Sequence, residues 1–251
     1  MSWSLAVSPD DKILAAGHFK AISLWDLTTG KEIRTLGGLP HFVESLAFSP
    51  DGKRLAAGQR SNTVGLLDVA TGKEVFPFAG HRAAVRSVAF IPGGKEIITA
   101  SDDGTLCLWE TRTGREIRRF GRHEREVYSV AVSPDGKIVA SASDDETVGI
   151  WELGTGNELR RLKGHKHYIR AVAFSPDGKL LASGGFDATI RVWDPFTGKI
   201  IRKIEVGGGG RHPDLIHHLA FAKSAGGLSL ARPIAVAANI PNTTGRELTK
   251  R

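Results

Sequence analysis

Trp109, Trp151 and Trp193 stand 42 residues apart, and the same step runs back to Leu67 and Trp25. An acid follows each position: Asp26, Asp68, Glu110, Glu152 and Asp194. A fixed period of this size means that one supersecondary unit is repeated, so the fold must be built by stacking copies of a small motif. Few architectures survive that constraint. At 251 residues the chain has room for one or two ordinary domains, and the unbroken period favours a single array.

The unit from His123 to Lys163 shows what is repeated. Val127-Tyr128-Ser129-Val130-Ala131-Val132 alternates and is rich in β-branched residues, so it reads as a strand. Ser133-Pro134-Asp135-Gly136 is a turn in which Pro fixes φ and Gly takes a positive φ. Ile138–Ala142 is a second strand, Asp144-Asp145-Glu146 a tight turn, and Thr147–Trp151 a third strand. After the Thr155-Gly156-Asn157 turn, Glu158–Leu162 is the fourth. Helical spacing is absent, so each unit is predicted to be a small four-stranded antiparallel sheet.

Gly30, Gly72, Gly114, Gly156 and Gly198, each preceded by Thr, number the copies, and Pro9, Pro50, Pro92, Pro134 and Pro176 keep step with them. Beyond a Gly-rich loop at 207–210, Thr244-Gly245-Arg246-Glu247 continues the series. Six units result, approximately 1–38, 39–79, 80–121, 122–163, 164–206 and a divergent 211–251.

These residues carry a resemblance to a known family. Gly80-His81 and Gly164-His165 precede first strands, Ser49-Pro50-Asp51-Gly52 and Ser175-Pro176-Asp177-Gly178 join strands one and two, and Trp193-Asp194 closes a third strand. In this combination and phase the chain resembles the WD-repeat (WD40) β-propellers over nearly its full length. The resemblance implies an all-β propeller of four-stranded antiparallel blades around a central channel, a single domain over 1–251. It also implies a non-catalytic role as a protein–protein interaction scaffold or adaptor, with no cofactor. Members usually close by lending an outer strand across the chain ends. This chain starts inside a first strand and stops at a stub, leaving open either six blades or part of a seven-bladed or larger propeller. Its regular Ser-Pro-Asp-Gly-Lys and Thr-Gly-Lys-Glu turns are similar to those of bacterial members, whose propellers often accompany kinase or sensor domains. A regulatory or sensor module of a larger protein is therefore the alternative.

Three sets could be mistaken for catalytic triads: His81, Thr99 and Asp103; His123, Ser141 and Asp145; His165, Ser183 and Asp187. A catalytic centre is needed once, whereas these recur in phase with Trp109, Trp151 and Trp193, and no strained nucleophile turn is visible. By the resemblance they form structural chains running from indole to hydroxyl to imidazole to carboxylate. The outer units lack the set: Ala15 and Ala57 replace the hydroxyl residue, and in the sixth Leu230 and Ile240 stand at the hydroxyl and Trp positions, with His212 retained. No catalytic, cofactor-binding or metal residues are assigned. His165 belongs to a structural chain, and adjacent His217 and His218 would face opposite ways on a strand. Cys107 is the sole cysteine, which excludes an intrachain disulfide and fits a reducing compartment.

Rim positions differ between units where scaffold positions do not. Trp3, Glu44, Arg86, Tyr128, Arg170 and His217 share one position, and Phe42, Ala84, Glu126, Tyr168 and Leu215 another. The candidate partner-binding set is Arg86, Glu126, Tyr128, Tyr168, Arg170 and Phe186, because Tyr and Arg dominate interface hot spots. The competing reading is that Tyr168 and Phe186 cap blade ends. The expected partners are proteins or peptides. A formal charge of +7 raises nucleic acid, but the excess is modest and lies at repeated positions such as Arg118-Arg119, Arg160-Arg161 and Arg202-Lys203. Charge on exposed edge strands to block pairing explains these better than a cationic band does. An enzyme propeller would need acids converging on the channel, and inward segments such as Val88-Ala89-Phe90 lack them. No apolar run is long enough to span a membrane and no secretory signal is visible, so a cytoplasmic location is expected.

Overall fold

The computed structural model describes residues 4–206, 216–224, 227–231 and 238–240. The Gly-rich loop 207–210, Trp3, His212, Leu215 and the Thr244-Gly245 turn lie outside the described residues. Among those described there is no helix, and the strands lie beside one another in sequence order, each antiparallel to the last. Three sheets have four strands each. The first comprises Val85–Phe90, Glu96–Ser101, Thr105–Glu110 and Glu116–Arg122. The next comprises Val127–Val132, Ile138–Ser143, Thr147–Glu152 and Glu158–Lys163. The last comprises Ile169–Phe174, Leu181–Gly185, Thr189–Trp193 and Ile200–Glu205. These are the third, fourth and fifth blades of a β-propeller.

The first two blades differ from the expected division. Glu32–Phe48 is one strand that ends the first blade and begins the second, so the two form a single seven-stranded sheet. The expected boundary between residues 38 and 39 falls inside it. Gly38-Leu39 stands where Gly80-His81 stands one unit on. With no histidine pinned to a turn aspartate here, the chain stays extended through the joint. The sixth blade shows three strands, Ala220–Ser224, Gly227–Ala231 and Ala238–Ile240.

The core lies between blades. Ile98, Leu106 and Leu108 of the third pack against Val127, Val139 and Trp151 of the fourth. Ala140, Val148 and Ile150 of the fourth meet Ile169, Leu181 and Trp193 of the fifth. Second and third strands are thus covered on both faces, which is why Ile138–Ser143 is buried throughout and reads as a run without alternation.

Repeated turns set how blades stack. In Ser133-Pro134-Asp135-Gly136 the Ser133 hydroxyl donates to Asp135 at 2.6 Å and accepts from the Ile138 amide at 3.0 Å. Gly136 has φ +69°, and a Cβ there would meet Pro92 of the preceding blade's turn at 3.4 Å. Gly178 sits on Pro134, and Gly52 on Pro9, in the same way. Inner strands are tied directly: the amides of Val88, Val130 and Val172 donate to Ser45, Ser87 and Ser129 of the blade before, at 3.2, 3.2 and 3.3 Å.

Two of the three outer-strand cation pairs are committed within the scaffold. Arg118 and Arg160 donate to the carbonyls of Leu153 and Phe196 in the next blade, at 2.9 and 2.7 Å. Arg119 and Arg161 turn back to Glu116 and Glu158 and lie 3.8 and 3.6 Å from Asp103 and Asp145. Their alternation across the strand accounts for these two doublets: one member bridges blades and the other braces its own.

Candidate functional site

In the third blade Trp109 Nε1 donates to Thr99 Oγ1 at 2.9 Å, and His81 Nε2 lies 2.7 Å from the same hydroxyl. His81 Nδ1 is 2.9 Å from Asp103, which also accepts from the Arg82 and Thr105 amides. The fourth blade repeats this with Trp151, Ser141, His123 and Asp145, each link at 2.7 Å. In the fifth, Trp193 donates to Ser183 at 2.8 Å, His165 Nε2 is 2.8 Å from that hydroxyl, and Nδ1 is 2.9 Å from Asp187. Gly80 and Gly121 leave room for the Trp109 and Trp151 rings, which a Cβ would meet at 2.8 and 2.7 Å.

The electrostatics favour one protonation pattern. Burial holds the His123 and His165 imidazoles below their ordinary pKa, more than their aspartates can offset. Burial would push the Asp145 carboxyl up, but hydrogen bonds from His123 and Thr147 outweigh it and hold it well below the usual carboxylate range. Asp103 and Asp187 are lowered through the same balance. In the fourth and fifth blades a neutral imidazole therefore donates from Nδ1 to an ionised carboxylate and accepts at Nε2 from the hydroxyl. That hydroxyl is buried among indole and imidazole, so it is closed to substrate. Burial likewise pushes the Cys107 thiol up to about 12, which removes it as a nucleophile at neutral pH.

A second constellation is open. A cavity of about 500 Å³ at the mouth of the channel is lined from all six blades, by Ser4, Glu44, Arg86, Tyr128, Arg170 and His217 among others. The period brings these side chains together, since each starts or approaches the inner strand of its blade. Arg86 grips Asp102 with two parallel bonds, Nε to Oδ1 at 2.8 Å and Nη2 to Oδ2 at 2.7 Å, and lies 3.3 Å from Glu44. Arg60 completes the chain at 2.9 Å from Glu44. The Arg170 guanidinium lies 3.9 Å from the Tyr128 ring centre, 5.4 Å from that of Tyr168 and 5.5 Å from that of Phe186. Tyr168 and Phe186 stack with ring centres 4.0 Å apart, and His217 meets Phe186 edge-on at 5.7 Å. Burial, then the charge of Asp144, pushes the Tyr128 phenol up to about 12, so its hydroxyl stays a donor and reaches Asp144 at 3.4 Å.

The family model described as "WD domain, G-beta repeat" matches residues 30–68, 72–110, 114–152 and 156–194, more than half of the chain. The chain belongs to the WD40 family. Each matched segment starts at a turn glycine and ends on the acid after the Trp position, so the family's unit is offset by one strand from the structural blade. WD40 repeats generally mediate protein–protein interaction and are typically non-catalytic. No curated protein matches the chain.

Within this WD40 propeller, five of the six candidate rim residues gather at the mouth: Arg86, Tyr128 and Arg170 line it, with Tyr168 and Phe186 as an aromatic shelf alongside. Glu126 does not line that cavity; it borders a separate groove with Asp102, Glu124 and Asp144. Sequence reasoning omitted Arg60 and left Glu44, Asp102 and His217 out of the set. Arg60 is the counterpart, one unit earlier, of Asp102, so the same register would have found it. His217 and His218 precede the strand starting at Ala220, so strand alternation does not separate them, and both line the cavity. Among the described residues Glu44 is the single acid lining it, already shared by two arginines. No group of three or more metal-ligating side chains occurs among the described residues, and no helix there is long and apolar enough to cross a membrane.

Proposed function

We propose that this protein is an interaction scaffold that holds a segment of another protein across the channel mouth, without chemistry of its own. The observation that carries the reading is the gathering of Arg86, Tyr128, Tyr168, Arg170 and Phe186 around one cavity. Aromatic and Arg side chains supply most interface energy when they surround a pocket. Their positions vary from blade to blade, while the hydrogen-bonded chains beneath them repeat. The single-propeller division 1–251 belongs to this proposal. So does a reducing, cytoplasmic setting, which suits a buried thiol with no disulfide partner.

The residues that resemble triads act as struts in this reading. Each ties the loop entering a first strand to the turn between strands two and three, so the rim is carried on rigid supports. The test is affinity capture from lysate with the parent beside Tyr128→Ala/Arg170→Ala. The parent is expected to recover proteins that the double variant does not, at equal thermal stability. Recovery of the same proteins by both would remove the mouth from the account.

A further inference from the structure

Among the described residues the carboxylates around the mouth are each taken. Glu44 is held by Arg60 and Arg86, Asp102 by Arg86, and Asp144 by Arg125 at 3.1 Å. One cation is left over. Among the described residues Arg170 makes no hydrogen bond and no ion pair, and its Nε is buried without a partner. Three aromatic rings surround it, and ring faces attract a cation but do not satisfy in-plane N–H donors. A partly buried guanidinium with unused donors, facing a cavity, is a site for an anion.

We propose that Arg170 is the specificity anchor of the mouth and that it receives the side-chain carboxylate of an Asp or Glu in the bound peptide. This rests on the reading of the mouth as a peptide-binding face and states what that face selects. A planar carboxylate matches the guanidinium fork in shape and brings the single negative charge that the surplus cation balances. A dianionic phosphate would exceed that balance and face Glu44 across the same cavity. Tyr168 and Phe186 offer a stacked apolar shelf beside the charge, so the residue flanking the acid is expected to be apolar or aromatic. Tyr128, whose face carries the guanidinium and whose hydroxyl is turned to Asp144, is a positioning residue for Arg170.

The experiment is selection from a displayed random-peptide library on the full chain, on Arg170→Gln and on Arg170→Glu. Affinities are then measured for selected peptides made as Glu, Gln and phosphoserine versions with amidated C-termini. The expected result is enrichment of Asp or Glu at one aligned position with the parent, absent with Arg170→Gln and replaced by Lys or Arg with Arg170→Glu. Arg170→Gln should weaken the Glu peptide about tenfold or more and the Gln version by a much smaller factor. Should Arg170→Gln lower the melting temperature, Arg170→Lys serves instead, retaining charge but losing the fork and most of the preference.

Peptides selected without an acidic position would overturn this proposal and leave the scaffold reading standing. Failure to select any peptide would remove both. Tighter binding of the phosphoserine version would make the mouth a phosphopeptide reader, and binding restored only by a free C-terminus would shift the anchor to a chain end. Either outcome refutes the side-chain carboxylate.

Discussion

The fourth and first blades are copies of one unit held together in different ways. In the fourth, Trp151 is fully buried, bonded to Ser141, and linked through His123 to Asp145. In the first, Trp25 is 36 % exposed and the strand register puts Ala16, not the expected Ala15, at the hydroxyl position, so its indole has no such hydroxyl to meet. Leu5 is 62 % exposed, whereas Leu46, Val88, Val130 and Val172 at its register are all buried. The backbone nevertheless pairs in the same way, with Leu14 opposite Trp25 as Val139 is opposite Trp151. The comparison separates two things that the repeat seems to fuse. Alternation and turns are enough to make the sheet, while the buried polar chain and a covering neighbour fix it to the rest of the array.

The largest expected difference is at the turn aspartate. Asp145→Ala leaves His123 Nδ1 and the amides of Glu124 and Thr147 without their acceptor. It should cost roughly 3 kcal/mol, read from denaturant unfolding, since each stranded buried donor costs about 1–3. A loss below about 1 kcal/mol would show that the chain is ornament and that packing alone holds the fourth blade. Next come the tryptophans. Trp151→Phe removes the donor to Ser141 and opens space beside Gly121, for about 2 kcal/mol. Trp25→Phe, at an exposed ring, should change stability by no more than about 0.5 kcal/mol. Equal costs would break the comparison.

Acid should act on the same chain. Burial holds the folded pKa of His123 and His165 below their ordinary 6.5, so the unfolded state binds more protons. Stability is then complete above about pH 6.5 and falls as pH drops below it. The depressed carboxyls of Asp103, Asp145 and Asp187 add a second decline below their ordinary 3.8. Denaturant midpoints across pH that stay flat or rise between 7 and 5 would contradict the neutral imidazole. The smallest effect is one the two blades share. Glu146 and Lys20 occupy the left-handed turn position, at φ +66° and +61°, where the third blade has Gly104. Glu146→Gly and Lys20→Gly should each raise stability by roughly 0.5 kcal/mol, because the strain is local and does not depend on the buried chain.

Much of this was legible in the sequence because it is local. Strand alternation, the Ser-Pro-Asp-Gly turn and the spacing of His123, Ser141, Asp145 and Trp151 all lie within one unit, and the fixed step exposes them together. What joins units was harder to read. The fusion of two blades through Glu32–Phe48 follows from a histidine motif that is missing, which no local pattern announces. The bonds from Val88, Val130 and Val172 to serines one blade back involve residues with nothing distinctive about them. Arg170 stood out as a variable rim residue, but its lack of a partner depends on Arg60, Arg86 and Arg125 having claimed the nearby acids.

The seating of each turn glycine on the proline one unit earlier, together with the serine that reaches forward to the next amide, makes the three junctions from the second blade to the fifth carry the same plug and socket. A unit duplicated in frame would arrive already fitted to both neighbours. Such a chain can grow or shed copies by recombination without inventing a contact, leaving selection free to work on the few exposed side chains that tell one copy from another.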